Sequence, residues 1–246
     1  MARLLQWGAG AERYWQRIGG GWIGPLWLTI VFIAAVWGFA ELADDAPEGD
    51  YLAWENAVLQ SFRPEGVPLG GEVVASALRD VTALGGSAVI VALTLLILGY
   101  LWLCGRYRVA ILLAIATAGG QALNLVLKQS FARERPTATL HLVEVNSPSF
   151  PSGHSMAASI FYLTSGALLA RTARRRREKA YLIGCALLLT LAVGFSRVYL
   201  GVHYPTDVAA GWCAGAAWAI LCLAVADGLA RRGALRPAAE TPPAMR

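Results

Sequence analysis

Polar and apolar positions are segregated along this chain. Six stretches free of Asp, Glu, Lys and Arg, at 22–40, 81–104, 109–127, 151–170, 180–196 and 208–226, are 17 to 24 residues long. A hydrocarbon core of ~30 Å takes about 20 helical residues to cross. Backbone groups in lipid must also pair within their own segment. The pattern therefore predicts an all-α integral membrane bundle of six transmembrane helices. The first run is longer than the apolar core of a cleaved leader, about 7–15 residues. Its Trp22, Trp27 and Trp37 suit interfacial anchors, so it reads as a retained helix.

The longest connection, 41–80, has a pattern of its own. Tyr51, Trp54, Val58, Leu59 and Phe62 recur at helical spacing, with Asp50, Glu55 and Gln60 between them. This predicts a short amphipathic helix at the outer interface, which either packs over the bundle or shapes a side entrance for a lipid. Residues 1–20 set Trp7, Tyr14 and Trp15 among Arg3, Arg13 and Arg17, as in a cytoplasmic interfacial segment. Residues 21–232 form the predicted bundle, and the proline-rich 233–246 reads as a disordered cytoplasmic tail. No internal repeat is evident, which lowers the case for an inverted-repeat transporter. Gly211 and Gly215 form a GxxxG, read as close packing within the bundle rather than a dimer face.

Composition agrees with this reading. Of 246 residues, 57% are hydrophobic and 15% charged, against about 25% charged in soluble domains. Mean hydropathy is +0.51. The net charge is +5, and 15 of the 21 Lys and Arg fall in the N-terminal tail, Arg106 and Arg108, segment 171–179 and the C-terminal tail. With six spans these share one face, which the positive-inside rule makes cytoplasmic. The chain is thus expected in the inner (plasma) membrane with both termini cytoplasmic. The basic run at 171–179 fits a topology-setting loop near anionic lipid heads, not a nucleic-acid site. Cys104, Cys185, Cys213 and Cys222 form no CxxC pair and read as apolar thiols.

The other six cations, Arg63, Arg79, Lys128, Arg133, Arg135 and Arg197, fall on the opposite face. Topology does not explain them, and charges clustered at span ends indicate function. Three clusters meet there. In KQSFARERP, Lys128 precedes Arg135 by seven positions. In PSGH, Pro151 suits a first helical turn, and the free N–H groups of Ser152, Gly153 and His154 would face an anion. In SRVYLGVHYPTD, Arg197 precedes His203, and Asp207 follows four residues later across one helical turn. Three cations and a helix N-terminus suit one phosphate. Arg133 and Glu134 read as a surface pair, and His141 as a loop histidine.

K-x6-RP, PSGH and SR-x5-H-x3-D, in this order, resemble the three signature motifs of the type 2 phosphatidic acid phosphatase (PAP2) family, which includes vanadium haloperoxidases and soluble acid phosphatases. The match spans residues 128–207. It implies His203 as the nucleophile that forms a phosphohistidine, and Asp207 as the group fixing its tautomer. It implies His154 as the acid for the leaving alkoxide and then the base for water. Lys128, Arg135 and Arg197, with Ser152 and Gly153, would hold the phosphoryl oxygens, without metal or cofactor. Phosphoryl transfer needs mostly positioning and charge neutralisation. The expected substrate is a membrane lipid phosphate or diphosphate: phosphatidic acid, phosphatidylglycerol phosphate, lysophosphatidate or undecaprenyl diphosphate. A vanadate-dependent haloperoxidase and a non-catalytic lipid-phosphate binder or flippase are the alternatives. Oligomeric state is not legible.

Overall fold

The structure, a computed structural model, describes residues 23–46, 52–137, 141–143 and 147–231. The predicted segments 1–20 and 233–246, and Asp50 and Tyr51 of the amphipathic pattern, lie outside these residues. Among the described residues the chain is helical and carries no strand: α1 (Ile23–Asp45), α2 (Leu52–Ser61), a 3-10 turn (Pro64–Gly66), α3 (Gly71–Ala83), α4 (Ser87–Leu103), α5 (Tyr107–Phe131), α6 (Gly153–Thr172), α7 (Arg176–Tyr199) and α8 (Pro205–Arg231). Helices α5, α7 and α8 outrun their apolar runs at both ends. Apolarity marks the part facing hydrocarbon, not the whole hydrogen-bonded element.

The run 81–104 is a correction. It is not one helix: residues 84–86 separate α3 from α4, which bend by 45°. A Cβ on Gly85 would lie 2.4 Å from Val193 Cγ1 and 3.0 Å from the His154 carbonyl oxygen. The break lets this connection sit directly on the start of α6, and hydropathy alone does not register it.

Among the described residues four helices, α1, α5, α7 and α8, are long and apolar enough to cross a membrane, giving five spans if the bent α3–α4 pair is one. The expected six is not reached, because α6 is less apolar. Its position explains why. α6 packs along α7 and α8 and against α5 and α4, and buries Ser155, Ser159 and Thr164. A helix wrapped in protein needs less hydrophobicity than one facing lipid. Elsewhere the pattern is inverted relative to a soluble protein: Trp37, Leu96 and Leu103 are 68%, 71% and 87% exposed, while Thr190 is buried.

The GxxxG expectation is met within the bundle. Cβ atoms on Gly211 and Gly215 would come within 2.7 Å of the Ser152 carbonyl and 2.6 Å of Ser159 Cβ, so α8 lies tight on α6. A helix, α2, forms within the connection 41–80, with Leu59 packed on Val198, Tyr204 and Val208. Its polar face was misjudged: Glu55 is fully buried, while Trp54 is 45% exposed.

Candidate active site

All the residues singled out from the three clusters gather at one end of the bundle. Lys128 lies in the last turn of α5 and is buried, its Nζ donating to the Pro148 carbonyl. Arg135 follows in the loop. Its Nε donates to Ser147 O at 2.7 Å and its Nη1 to Val202 O at 2.6 Å. Arg197, in the last turn of α7, is buried; its Nη1 donates to Thr82 Oγ1 at 3.2 Å, and its Nε is buried without a partner. None of these three cations has a carboxylate within ion-pair distance among the described residues.

His203 sits in the turn between α7 and α8, 1% exposed. Its Nδ1 lies 3.4 Å from Asp207 Oδ2, and its Nε2 lies 3.2 Å from Arg135 Nη1. A guanidinium can only donate, so Nε2 offers its lone pair there. The ring proton is then on Nδ1, facing the carboxylate. This tautomer aims a lone pair at the cations. Burial pushes the His203 pKa well below its ordinary value, with Arg197 and Arg135 adding to the shift and Asp207 opposing it. The ring is therefore neutral near pH 7.

Asp207 occupies the first turn of α8, which starts at Pro205 as its sequence predicts. Oδ2 also accepts from the Tyr204 N–H at 2.9 Å and from the Ser149 hydroxyl. Capping the helix and orienting the imidazole are thus done by one carboxylate.

The start of α6 differs from expectation in detail. Pro151 precedes the helix; Ser152 is the N-cap and Gly153 the first helical residue. The Ser152 N–H is not free but donates to Asp207 O at 2.9 Å, and Ser152 Oγ accepts from Ser155 Oγ at 2.9 Å. The N–H groups of Gly153 and His154 remain first-turn donors, which no helix satisfies internally. A Cβ on Gly153 would stand 3.0 Å from Asn124 Nδ2 and 3.4 Å from Lys128 Cε. The glycine therefore brings α6 against the end of α5. His154 is half-buried and lies within electrostatic reach of Arg197, Arg135 and Lys128. Arg197 and Arg135 thus act electrostatically on both histidines.

Arg133 is a second correction. It is no surface residue: its side chain is 7% exposed. Nη1 pairs with Asp207 Oδ1 at 2.8 Å and Nη2 with Glu55 Oε2 at 2.7 Å. The guanidinium carbon stands 4.4 Å from the Tyr204 ring centroid. Burial would lower its pKa, but Asp207 and Glu55 outweigh burial and raise it. Glu134 is exposed, and His141 is half-buried with its Nε2 2.7 Å from the Pro136 carbonyl. Sequence reasoning also missed Ser149 and Thr82. Ser149 stands two residues before the PSGH string, and Thr82 lay inside a run taken for uniform membrane helix.

Residues 108–230 match the PAP2 superfamily. The chain belongs to the PAP2 superfamily. Phosphatidylglycerophosphatase B of Bacillus subtilis (strain 168) is 34% identical over 141 residues, 56% of this chain and 68% of that protein. Decaprenylphosphoryl-5-phosphoribose phosphatase of Mycobacterium tuberculosis (strain ATCC 25618 / H37Rv) is 30% identical over 142 residues, 56% and 73% respectively. The crystal structure of the transmembrane PAP2 type phosphatidylglycerolphosphate phosphatase from Bacillus subtilis superposes with a TM-score of 0.74 at 26% identity. The likeness covers 80% of this chain and 96% of that one. This PAP2 protein is a multi-pass membrane hydrolase of the lipid phosphatase branch, acting on phosphate esters or diphosphates.

Proposed function

We propose that this PAP2 phosphatase hydrolyses a lipid phosphate at the non-cytoplasmic face of the membrane through a phosphohistidine. The His203 Nε2 lone pair attacks phosphorus. The bond from phosphorus to the lipid oxygen breaks, and that oxygen leaves with its electron pair and a proton from His154. Water then attacks phosphorus while giving a proton to His154, the N–P bond breaks, and its electrons return to Nε2. Asp207 holds the Nδ1 proton and offsets the positive charge that develops on the ring. Lys128, Arg135 and Arg197, with the Gly153 N–H and Ser152, neutralise the phosphoryl oxygens, so the chemistry proceeds without a metal.

One observation carries this reading: His203 turns Nδ1 to a carboxylate and Nε2 to Arg135, one of three clustered cations without a carboxylate in ion-pair range among the described residues. The position of every site residue at one end of the bundle favours six crossings. α6 is then a span and α3–α4 a single bent one, with both termini on the cytoplasmic side of the inner membrane.

The likeness to phosphatidylglycerophosphatase B makes phosphatidylglycerol phosphate the first substrate to try, ahead of phosphatidic acid and undecaprenyl diphosphate. Purified protein in detergent is tested against this panel by phosphate release, beside His203→Ala. Turnover of at least one lipid that disappears in the variant is expected. Stoichiometric binding without release would instead favour a lipid-phosphate binder.

A further inference from the structure

We infer that Glu55 and Arg133 are positioning residues of the reaction: α2 reaches into the catalytic centre and sets the Asp207 carboxylate through Arg133. This rests on the roles proposed for His203 and Asp207. The two residues stand 78 positions apart, and neither is a signature position of the three motifs.

The contacts form a closed chain. Glu55 Oε2 takes Arg133 Nη2, and Glu55 Oε1 takes both the N–H and the hydroxyl of Thr206. Arg133 Nη1 is shared between Thr206 Oγ1 at 2.9 Å and Asp207 Oδ1 at 2.8 Å. Asp207 thus has one oxygen on Arg133, and the other on His203, Ser149 and the Tyr204 N–H. With Oδ1 fixed, the carboxylate plane cannot turn away from Nδ1. Both carboxylates are fully buried.

Charge gives Glu55 a purpose beyond packing. Glu55, Arg133 and Asp207 together carry one net negative charge. When the His203 ring bonds to phosphorus it becomes cationic, and that surplus charge faces it through Asp207. Without Glu55 the Asp207–Arg133 pair is neutral, and the ring loses the compensating field. A buried ion triad is weak evidence for stability, because apolar residues of similar volume often replace one without loss.

The test uses the full-length protein in detergent, with phosphatidic acid or phosphatidylglycerol phosphate in mixed micelles and inorganic phosphate as competitive inhibitor. Glu55→Gln is expected to lower kcat about tenfold, while KM and the phosphate inhibition constant stay within about twofold, because Lys128, Arg135 and Arg197 are untouched. Arg133→Lys should recover part of what Arg133→Gln loses. Added to Asp207→Asn, Glu55→Gln should cost nothing further, because it acts through Asp207.

An unchanged kcat, a rise in KM and inhibition constant that parallels the loss in kcat, or full additivity with Asp207→Asn would overturn the inference. Should the single variants not fold, Glu55→Leu/Arg133→Leu removes both charges together; a lowered kcat supports the positioning role, and a wild-type kcat overturns it. His203→Ala is the control. If it stays active, the proposed mechanism falls and takes this inference with it. If it is dead while Glu55→Gln runs at full rate, this inference alone falls.

Discussion

Arg133 and Arg135 are two residues apart, leave the same helix end and point into the same cluster, yet their surroundings are opposite. Arg133 is clasped by Asp207 and Glu55 and stacks on Tyr204. Arg135 has carbonyls, the Ser147 hydroxyl and the His203 ring but, among the described residues, no carboxylate in ion-pair range. The first guanidinium is neutralised by the protein and builds the site. The second keeps its charge available for a substrate anion. Partners, not residue type, separate scaffold from binding group, and they also sort Lys128 and Arg197 with Arg135.

This contrast can be broken in several ways. The largest effect is expected from Arg197→Ala or Arg135→Ala, which should lower kcat/KM by about 10³ while thermal stability holds or rises, because a desolvated cation has gone. Enzyme assays beside thermal unfolding check both halves; loss of stability equal to that of Arg133→Ala would erase the distinction. Arg133→Ala should destabilise the protein by about 3 kcal/mol, since it leaves two buried carboxylates unpaired, as denaturation in detergent would reveal. Inorganic phosphate at about 100 times its Kd should stabilise the wild type by about 2.7 kcal/mol and Arg197→Ala by much less. Equal stabilisation of both would remove Arg197 from the anion site.

Smaller effects concern pH and metal. Neutral His203 is the attacking form, and its pKa is depressed by burial, Arg197 and Arg135 against the pull of Asp207. That pKa is held down to about 3, so protonation does not silence the ring between pH 7 and pH 5, and kcat/KM measured with corrected substrate ionisation should change less than about tenfold over that range. An acid limb centred at the ordinary histidine value of 6.5 would contradict this. Chelation with EDTA should leave the rate unchanged, and strict dependence on added Mg²⁺ would reject charge neutralisation by side chains alone.

Much of this was legible in the sequence, for identifiable reasons. Apolar runs report directly on helices that face lipid, so α1, α5, α7 and α8 could be placed within a few residues. The spacing of His203 and Asp207 reports on one turn of chain, and the pair does meet. What stayed hidden depends on distant partners. Glu55 looked like the polar face of a surface helix, because nothing local reveals that Arg133 waits 78 positions away. The bend at 84–86 was masked because Gly85 and its neighbours are as uncharged as a true span, while the Val193 side chain of α7 and the His154 carbonyl of α6 that crowd Gly85 are distant in sequence. α6 shows the converse: enclosed by protein, it is less apolar than its lipid-facing neighbours.

The central claim is that one phosphorus atom bonds to His203 among Lys128, Arg135 and Arg197. Rapid quenching of the enzyme with lipid labelled in the phosphoryl group tests it most directly. An alkali-stable, acid-labile label on His203 is expected in the wild type, absent from His203→Ala. Full turnover with no trapped label, in wild type and in His154→Ala alike, or label on another residue, would contradict it.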